Sequence, residues 1–83
     1  MASFDRHDTR QKIVDIIASE LKIDTSKITD TAQLADLGAD SLSLLEIIFR
    51  LEEQFGLEIP DDQAEQFKTL QGVVDYVHSR RSK

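Results

Sequence analysis

An all-α fold, a small four-helix bundle of three main helices and one short one with a long loop between the first and second, follows from three features of the sequence. Apolar residues recur at three- and four-residue spacing over 8–21, 41–55 and 69–78, the signature of helices with one buried face. No stretch alternates apolar and polar residues as a half-buried strand would. At 83 residues, with 40% hydrophobic and 31% charged side chains, the chain is one folded domain over 1–83 with its core at about 8–78, too short for a second core.

In the first helix, Asp8 to Leu21, the residues Ile13, Val14, Ile16, Ile17 and Leu21 share one face while Arg10, Lys12, Asp15 and Glu20 lie mostly opposite. Its β-branched residues make it depend on packing more than on intrinsic propensity. Residues 1 to 7 are expected to fray. From Ile23 to Ala39 no period is sustained, and Asp24, Thr25, Ser26, Thr29, Asp30 and Thr31 compete for backbone hydrogen bonds as turn and cap residues do. Ile28, Leu34 and Leu37 are the expected pins of this long loop, with a short helical turn near Thr31 to Leu34.

The second helix, Ser41 to Phe55, is the most strongly amphipathic. Leu44, Leu45, Ile48, Leu51 and Phe55 form its core face, with Ser43, Glu46, Arg50 and Glu53 on the other side and Leu42 and Phe49 projecting at the border beside the acids. Gly56 suits a left-handed C-terminal cap. Leu57 and Ile59 turn inward, Pro60 prevents a helix before it, and Asp61 to Gln66 forms one short acidic helical turn. Thr69 caps the last helix, which returns Leu70, Val73, Val74 and Val77 to the core; Gly72 either weakens it or permits a close approach. The polar segment from Ser79 to Lys83 is expected to be disordered.

Net charge is -6, and it is uneven: nine acidic residues stand between Asp36 and Gln66 against one cation, Arg50. Such a field repels nucleic acid and steers basic protein surfaces toward the patch; it also serves simply as a solvated face. The N-terminus lacks the basic and apolar runs of a secretory signal, and no stretch is long enough to insert in a membrane, so a soluble, cytoplasmic chain is expected. With no cysteine there is no disulfide or thiolate chemistry, in keeping with a reducing compartment. His7 and His78 read as surface residues without metal-ligand spacing, and Asp61, Asp62 and Glu65 lack the alternating ligands and loop glycine of a calcium loop, so no metal is expected.

The stretch that organises the chain is Leu37-Gly38-Ala39-Asp40-Ser41-Leu42. Gly38 permits a sharp bend, Asp40 is a favoured N-cap, and Ser41 falls on the first turn of the helix, where unpaired N–H groups favour an anion such as a phosphate on the hydroxyl. Ser41 lacks the Gly-x-Ser-x-Gly setting and the His partner of a hydrolase, and no catalytic constellation appears, so the chain is not expected to be an enzyme.

Gly38-Ala39-Asp40-Ser41-Leu42, with Leu37 before it, Glu46 after it and Phe55-Gly56-Leu57-Glu58-Ile59-Pro60 further on, resembles the acyl carrier protein family over roughly residues 10 to 78. The resemblance implies that Ser41 carries 4′-phosphopantetheine, donated by coenzyme A through a phosphopantetheinyl transferase, and that the arm's thiol holds acyl groups as thioesters. It implies a monomer whose helix after the serine meets basic docking patches on acyl-processing enzymes, with Asp40, Leu42, Glu46, Phe49, Glu52 and Glu53 as contacts. Leu44, Leu45, Ile48, Leu51, Ile59, Val73 and Val74 would bound an apolar space for the acyl chain, or serve only as core. Ser43, where fatty acid carriers often have an acidic residue, and Arg50, on a face usually neutral or negative, depart from the family pattern and bear on partner choice. Delivery to fatty acid biosynthesis enzymes is the expected function. A carrier for polyketide, nonribosomal peptide or dedicated lipid assembly and an unmodified acidic protein-binding module both stay open.

Overall fold

The computed structural model describes residues 5–81. Its helices are α1 (Arg6–Leu21), α2 (Ser41–Phe55), α3 (Asp61–Ala64) and α4 (Leu70–Arg81), with a 3₁₀ turn at Thr25–Lys27. The described residues contain no strand, only an isolated antiparallel bridge between Gln33 and Thr69. None of their helices is long and apolar enough to cross a membrane. Buried apolar residues of α1 (Ile13, Val14, Ile17), α2 (Ile47, Ile48, Leu51) and α4 (Leu70, Val73, Val74, Val77) make one core, which Ile28, Leu34, Ile59 and Phe67 close from the connections.

On α2 the buried face is turned from the expected one. Leu45 is 45% exposed and stands outside the core, whereas Ile47, absent from the expected face, is 1% exposed. The reason is the position of α1, which packs against α2 on the flank that carries Arg50. Arg50, one turn beyond Ile47, pairs with Glu20 of α1, so the cation that departs from the family pattern serves an interhelical contact. Leu45 lies on the opposite flank, where only the short α3 and the segment before it approach.

Helix α1 begins earlier and α4 ends later than expected. Asp5 caps α1 by accepting the His7 N–H at 3.2 Å, so the helix begins at Arg6; only residues 1–4 of the segment expected to fray lie outside the described residues. At the other end α4 continues through Arg81 where disorder was expected from Ser79, and Ser82 and Lys83 lie outside the described residues. Arg81 holds that last turn: its guanidinium donates to Asp8 Oδ2 at 3.2 Å and Thr9 Oγ1 at 2.9 Å and sits 4.8 Å from the centre of the Phe55 ring. Lys12 and then Arg81, as donors to Asp8, hold its carboxyl below the ordinary carboxylate range. His78, expected on the surface, is half-buried with Nδ1 2.9 Å from the Oγ1 of the fully buried Thr9.

The long loop is pinned as expected by Ile28 and Leu34, with Leu37 half-buried. Its helical turn comes later than Thr31 to Leu34, however: successive bonds from Asp36 N–H to Gln33 O (3.0 Å), Leu37 N–H to Leu34 O (3.1 Å) and Gly38 N–H to Ala35 O (3.2 Å) coil residues 33–38. The shift follows from what residues 30–34 do instead. Leu34 N–H donates to Lys68 O (2.9 Å), while Leu70 N–H and Gln71 N–H, which have no partner inside α4, donate to Ala32 O (3.1 Å) and Asp30 O (3.0 Å). Thr69 completes the cap as expected, its Oγ1 accepting from Gly72 N–H at 3.2 Å.

Truncating Ile47 to Ala is expected to remove about 2–5 kcal/mol of stability, the usual cost of a cavity in a packed core. Leu45→Ala is expected to change it by roughly 0.5 kcal/mol or less, as at exposed positions generally. Urea unfolding of the two variants followed by circular dichroism distinguishes this orientation of α2 from one with Leu45 inside.

Candidate functional site

The start of α2 is built by a sequence of backbone constraints. Gly38 has φ 101°, a conformation that side chains disfavour, and Ala39 N–H donates back to Leu34 O at 3.0 Å, so the coiled turn reverses and delivers an extended Asp40. Asp40 then closes a reciprocal cap. Ser43 N–H donates to Asp40 Oδ1 at 2.8 Å, Asp40 N–H donates to Ser43 Oγ at 2.9 Å, and the Ser43 hydroxyl lies 2.9 Å from the same carboxylate oxygen. Ser43 therefore has a structural duty at the third helical position, where Glu or Gln more often closes such a box. Sequence reading missed this duty; the signal was an Asp and a Ser three residues apart at a helix start.

Ser41 is the first residue of α2 and is exposed. None of the capping bonds uses its hydroxyl. The bonds that Asp40 accepts, from the Ser43 backbone first and its hydroxyl second, keep the Asp40 carboxyl below its ordinary range, so it stays ionised and turned into the helix. Beside Ser41 opens a cleft of about 350 Å³ lined by Leu34, Ala39, Asp40, Leu44, Phe67 and Lys68 together with Ser41, Gln33 and Ala35.

Leu42 (66% exposed), Leu45 and Phe49 (57%) form an apolar stripe along the outward face of α2, with Glu46 and Glu53 exposed beside it. Of the other two acids nominated for partner contact, Asp40 is engaged in the cap. Glu52 is half-buried, its Oε2 accepting the Ile59 N–H at 2.9 Å, which fastens the segment after Gly56 to α2.

The seven residues nominated around an acyl chain do not meet at one cavity. Leu44 faces the cleft beside Ser41, whereas Leu45, Ile48 and Ile59 line a second one of about 330 Å³ with Phe49 and Ala64. Leu51, Val73 and Val74 are buried in the core beneath them.

Comparison with known proteins places this geometry. Residues 11–77 match the family described as "Phosphopantetheine attachment site". The chain is 50% identical over 74 residues to an acyl carrier protein of Rubrobacter xylanophilus, covering 88% of this chain and 91% of that protein. With an acyl carrier protein of Thermosynechococcus vestitus it shares 45% identity over 71 residues, covering 84% and 88% of the two.

Because the Asp40 carboxyl titrates lower in the folded chain than the ordinary 3.8, its cap stabilises fully above that value and its contribution is lost as pH falls through the lower folded one. Asp40→Ala is therefore expected to lower the urea midpoint near neutral pH, and the gap from the parent should narrow as the pH is taken toward about 2. A gap independent of pH would show that the carboxylate is not what caps α2.

Proposed function

The chain belongs to the phosphopantetheine attachment family, and on that premise we propose that residues 1–83 form a single cytoplasmic carrier domain that holds acyl groups on 4′-phosphopantetheine at Ser41 and catalyses nothing itself. The observation that carries the reading is the exposed hydroxyl at the first position of α2, free of the cap around it and bordered by a cleft. A transferase can reach such a hydroxyl without disturbing the helix, and an anionic phosphodiester there meets the positive end of the helix. The two relatives, both acyl carrier proteins and alike over most of their length, support the same reading. When bound, the group supplies a terminal thiol that carries acyl chains as thioesters. What the chain's own residues do is position and expose the attachment point.

The outward face of α2 supports docking to acyl-processing enzymes with basic patches, fatty acid biosynthesis enzymes in our reading. Glu46 and Glu53 are exposed beside the apolar Leu42, Leu45 and Phe49, so charge can speed encounter while a modest apolar patch sets register and permits release. Asp40 and Glu52 contribute charge at this edge while tied to their own backbone partners. Leu44 on one side, and Leu45, Ile48 and Ile59 on the other, offer apolar surface where an acyl chain can leave water, above Leu51, Val73 and Val74.

Intact mass before and after incubation with coenzyme A, magnesium and a broad-specificity phosphopantetheinyl transferase tests the attachment. The parent is expected to gain one phosphopantetheine and Ser41→Ala none; a folded parent that arrives unmodified and gains nothing would sink the carrier reading. Reversing Glu46 and Glu53 together to Lys is expected to slow loading by roughly tenfold at low salt, with the difference shrinking as salt is raised.

A further inference from the structure

Ser43, Ile47, Arg50 and Gln54 recur along α2 at four- and three-residue spacing and so share the flank that meets α1. Arg50 is the charged residue among them and none is acidic, whereas the adjoining face presents Glu46 and Glu53, both exposed, beside Leu42 and Phe49. Arg50 stands four residues after Glu46 and three before Glu53, spacings at which opposite charges on a helix pair, yet it forms an ion pair with neither among the described residues. It pairs with Glu20 of α1 instead; the Glu20 side chain is 11% exposed and that of Arg50 57%. Ile16 of α1 joins Arg50, Glu53 and Gln54 around one cleft of about 280 Å³. The cation is thus held toward α1 rather than folded onto the acids of its own helix, and a positive edge stands beside a negative one. A guanidinium has more N–H donors than one carboxylate accepts, so the pairing with Glu20 leaves donors for a second acid.

We infer that Arg50 is a specificity-determining residue, which selects partners whose basic docking patch carries an acidic side chain where it meets the α1 side of α2. The inference rests on the docking of acyl-processing enzymes to α2 proposed above, and it adds a feature those partners must have. A patch of uniform positive charge would attract Glu46 and Glu53 but bring a cation against Arg50, and like charges set together at an interface cost affinity. A carboxylate at that place takes up the remaining guanidinium donors. It also fixes register, because a patch shifted around the helix sets cation against cation, so discrimination comes from the repulsive element as much as from the attractive ones. The contact with Glu20 restrains the side chain in advance, which reduces the freedom lost when the second acid binds. Arginine suits this task better than lysine, since its planar fork presents separate edges to two carboxylates.

The test uses the loaded chain, its single modification first verified by mass, as substrate for a purified carrier-dependent acyltransferase and a purified condensing enzyme from the same genome. Parent, Arg50→Gln, Arg50→Lys and Glu20→Gln are compared at low salt, and the sign of the effect decides. Against partners that present only cations, Arg50→Gln makes α2 more negative and should lower KM. The inference expects the opposite with at least one of the two enzymes: KM raised about two- to five-fold, the range an exposed ion pair spans, with kcat unchanged. That difference should shrink as salt is raised. Arg50→Lys, which keeps the charge, is expected to recover part of the loss, and Glu20→Gln, which gives up the contact with α1 but keeps the cation, to stay near the parent. A KM unchanged or lowered in Arg50→Gln with both enzymes would overturn the inference. Equal losses in Arg50→Gln and Glu20→Gln would overturn it too, because the pair would then act only through helix packing. A loaded parent that neither enzyme accepts would instead defeat the docking reading, and this inference with it; turnover of the parent separates that failure from the other two.

Discussion

Residues 30–34 and 68–71 are joined through their backbones, and the rest of the molecule is arranged around that join. Two N–H groups at the start of α4, those of Leu70 and Gln71, would be unpaired in an isolated helix; here Ala32 and Asp30 accept them, and Leu34 returns a bond to Lys68. A loop that would otherwise carry unsatisfied backbone groups thereby becomes part of the packed structure. Leu34 and Leu70 are brought to burial on either side of the join, 2% and 0% exposed. Arg10 of α1 holds the same part of the loop from the other side, donating to Asp30 Oδ1 at 2.7 Å and reaching Ile28 O at 3.4 Å. With residues 28–34 fastened to both α1 and the start of α4, the coiled turn at 33–38 has little freedom in where it delivers Asp40, and so in where Ser41 emerges.

The second helix then serves three surfaces at once. Ile47, Ile48 and Leu51 belong to the core, the Asp40–Ser43 box belongs to the helix start, and Leu42, Leu45 and Phe49 are left to solvent between acids. A carrier needs an attachment point that does not move with its cargo and a face that binds partners without retaining them. With attachment at Ser41, as proposed, the cap and the joined loop beneath α2 would meet the first requirement. With α2 as the proposed docking face, a small apolar stripe among charges would meet the second, since electrostatic steering acts mainly on the rate of encounter while a modest apolar area keeps release fast.

At the opposite pole, Thr9, Asp8, His78, Arg81 and Phe55 tie the start of α1 to the end of α4 and the end of α2. Such a small domain has a thin apolar core. Fastening the start of α1 to the end of α4 by hydrogen bonds to a fully buried threonine extends the helical structure where the apolar pattern has already stopped. The polarity of Ser79, Arg80 and Arg81 suggested a loose tail because sequence periodicity registers apolar faces and is silent about a guanidinium that packs on a ring.

Much of this chain was legible without coordinates. The three- and four-residue periods marked the long helices and most of the core, Gly38 and Asp40 marked the bend and cap, and the stretch around Ser41 marked the family, because each of these depends on residues close together in the chain. What required the tertiary structure were the properties set by a neighbour distant in sequence. Whether Leu45 or Ile47 faces inward was decided by where α1 lies against α2, and Glu52 and Ser43 looked like docking or departing residues until Ile59 and Asp40 appeared as their partners. Lys68 and Ser41, far apart along the chain, share one cleft only because the backbone of the loop joins the start of α4. Local hydrogen bonding and apolar period are written in order along the sequence, while the company each side chain keeps depends on how the helices are brought together.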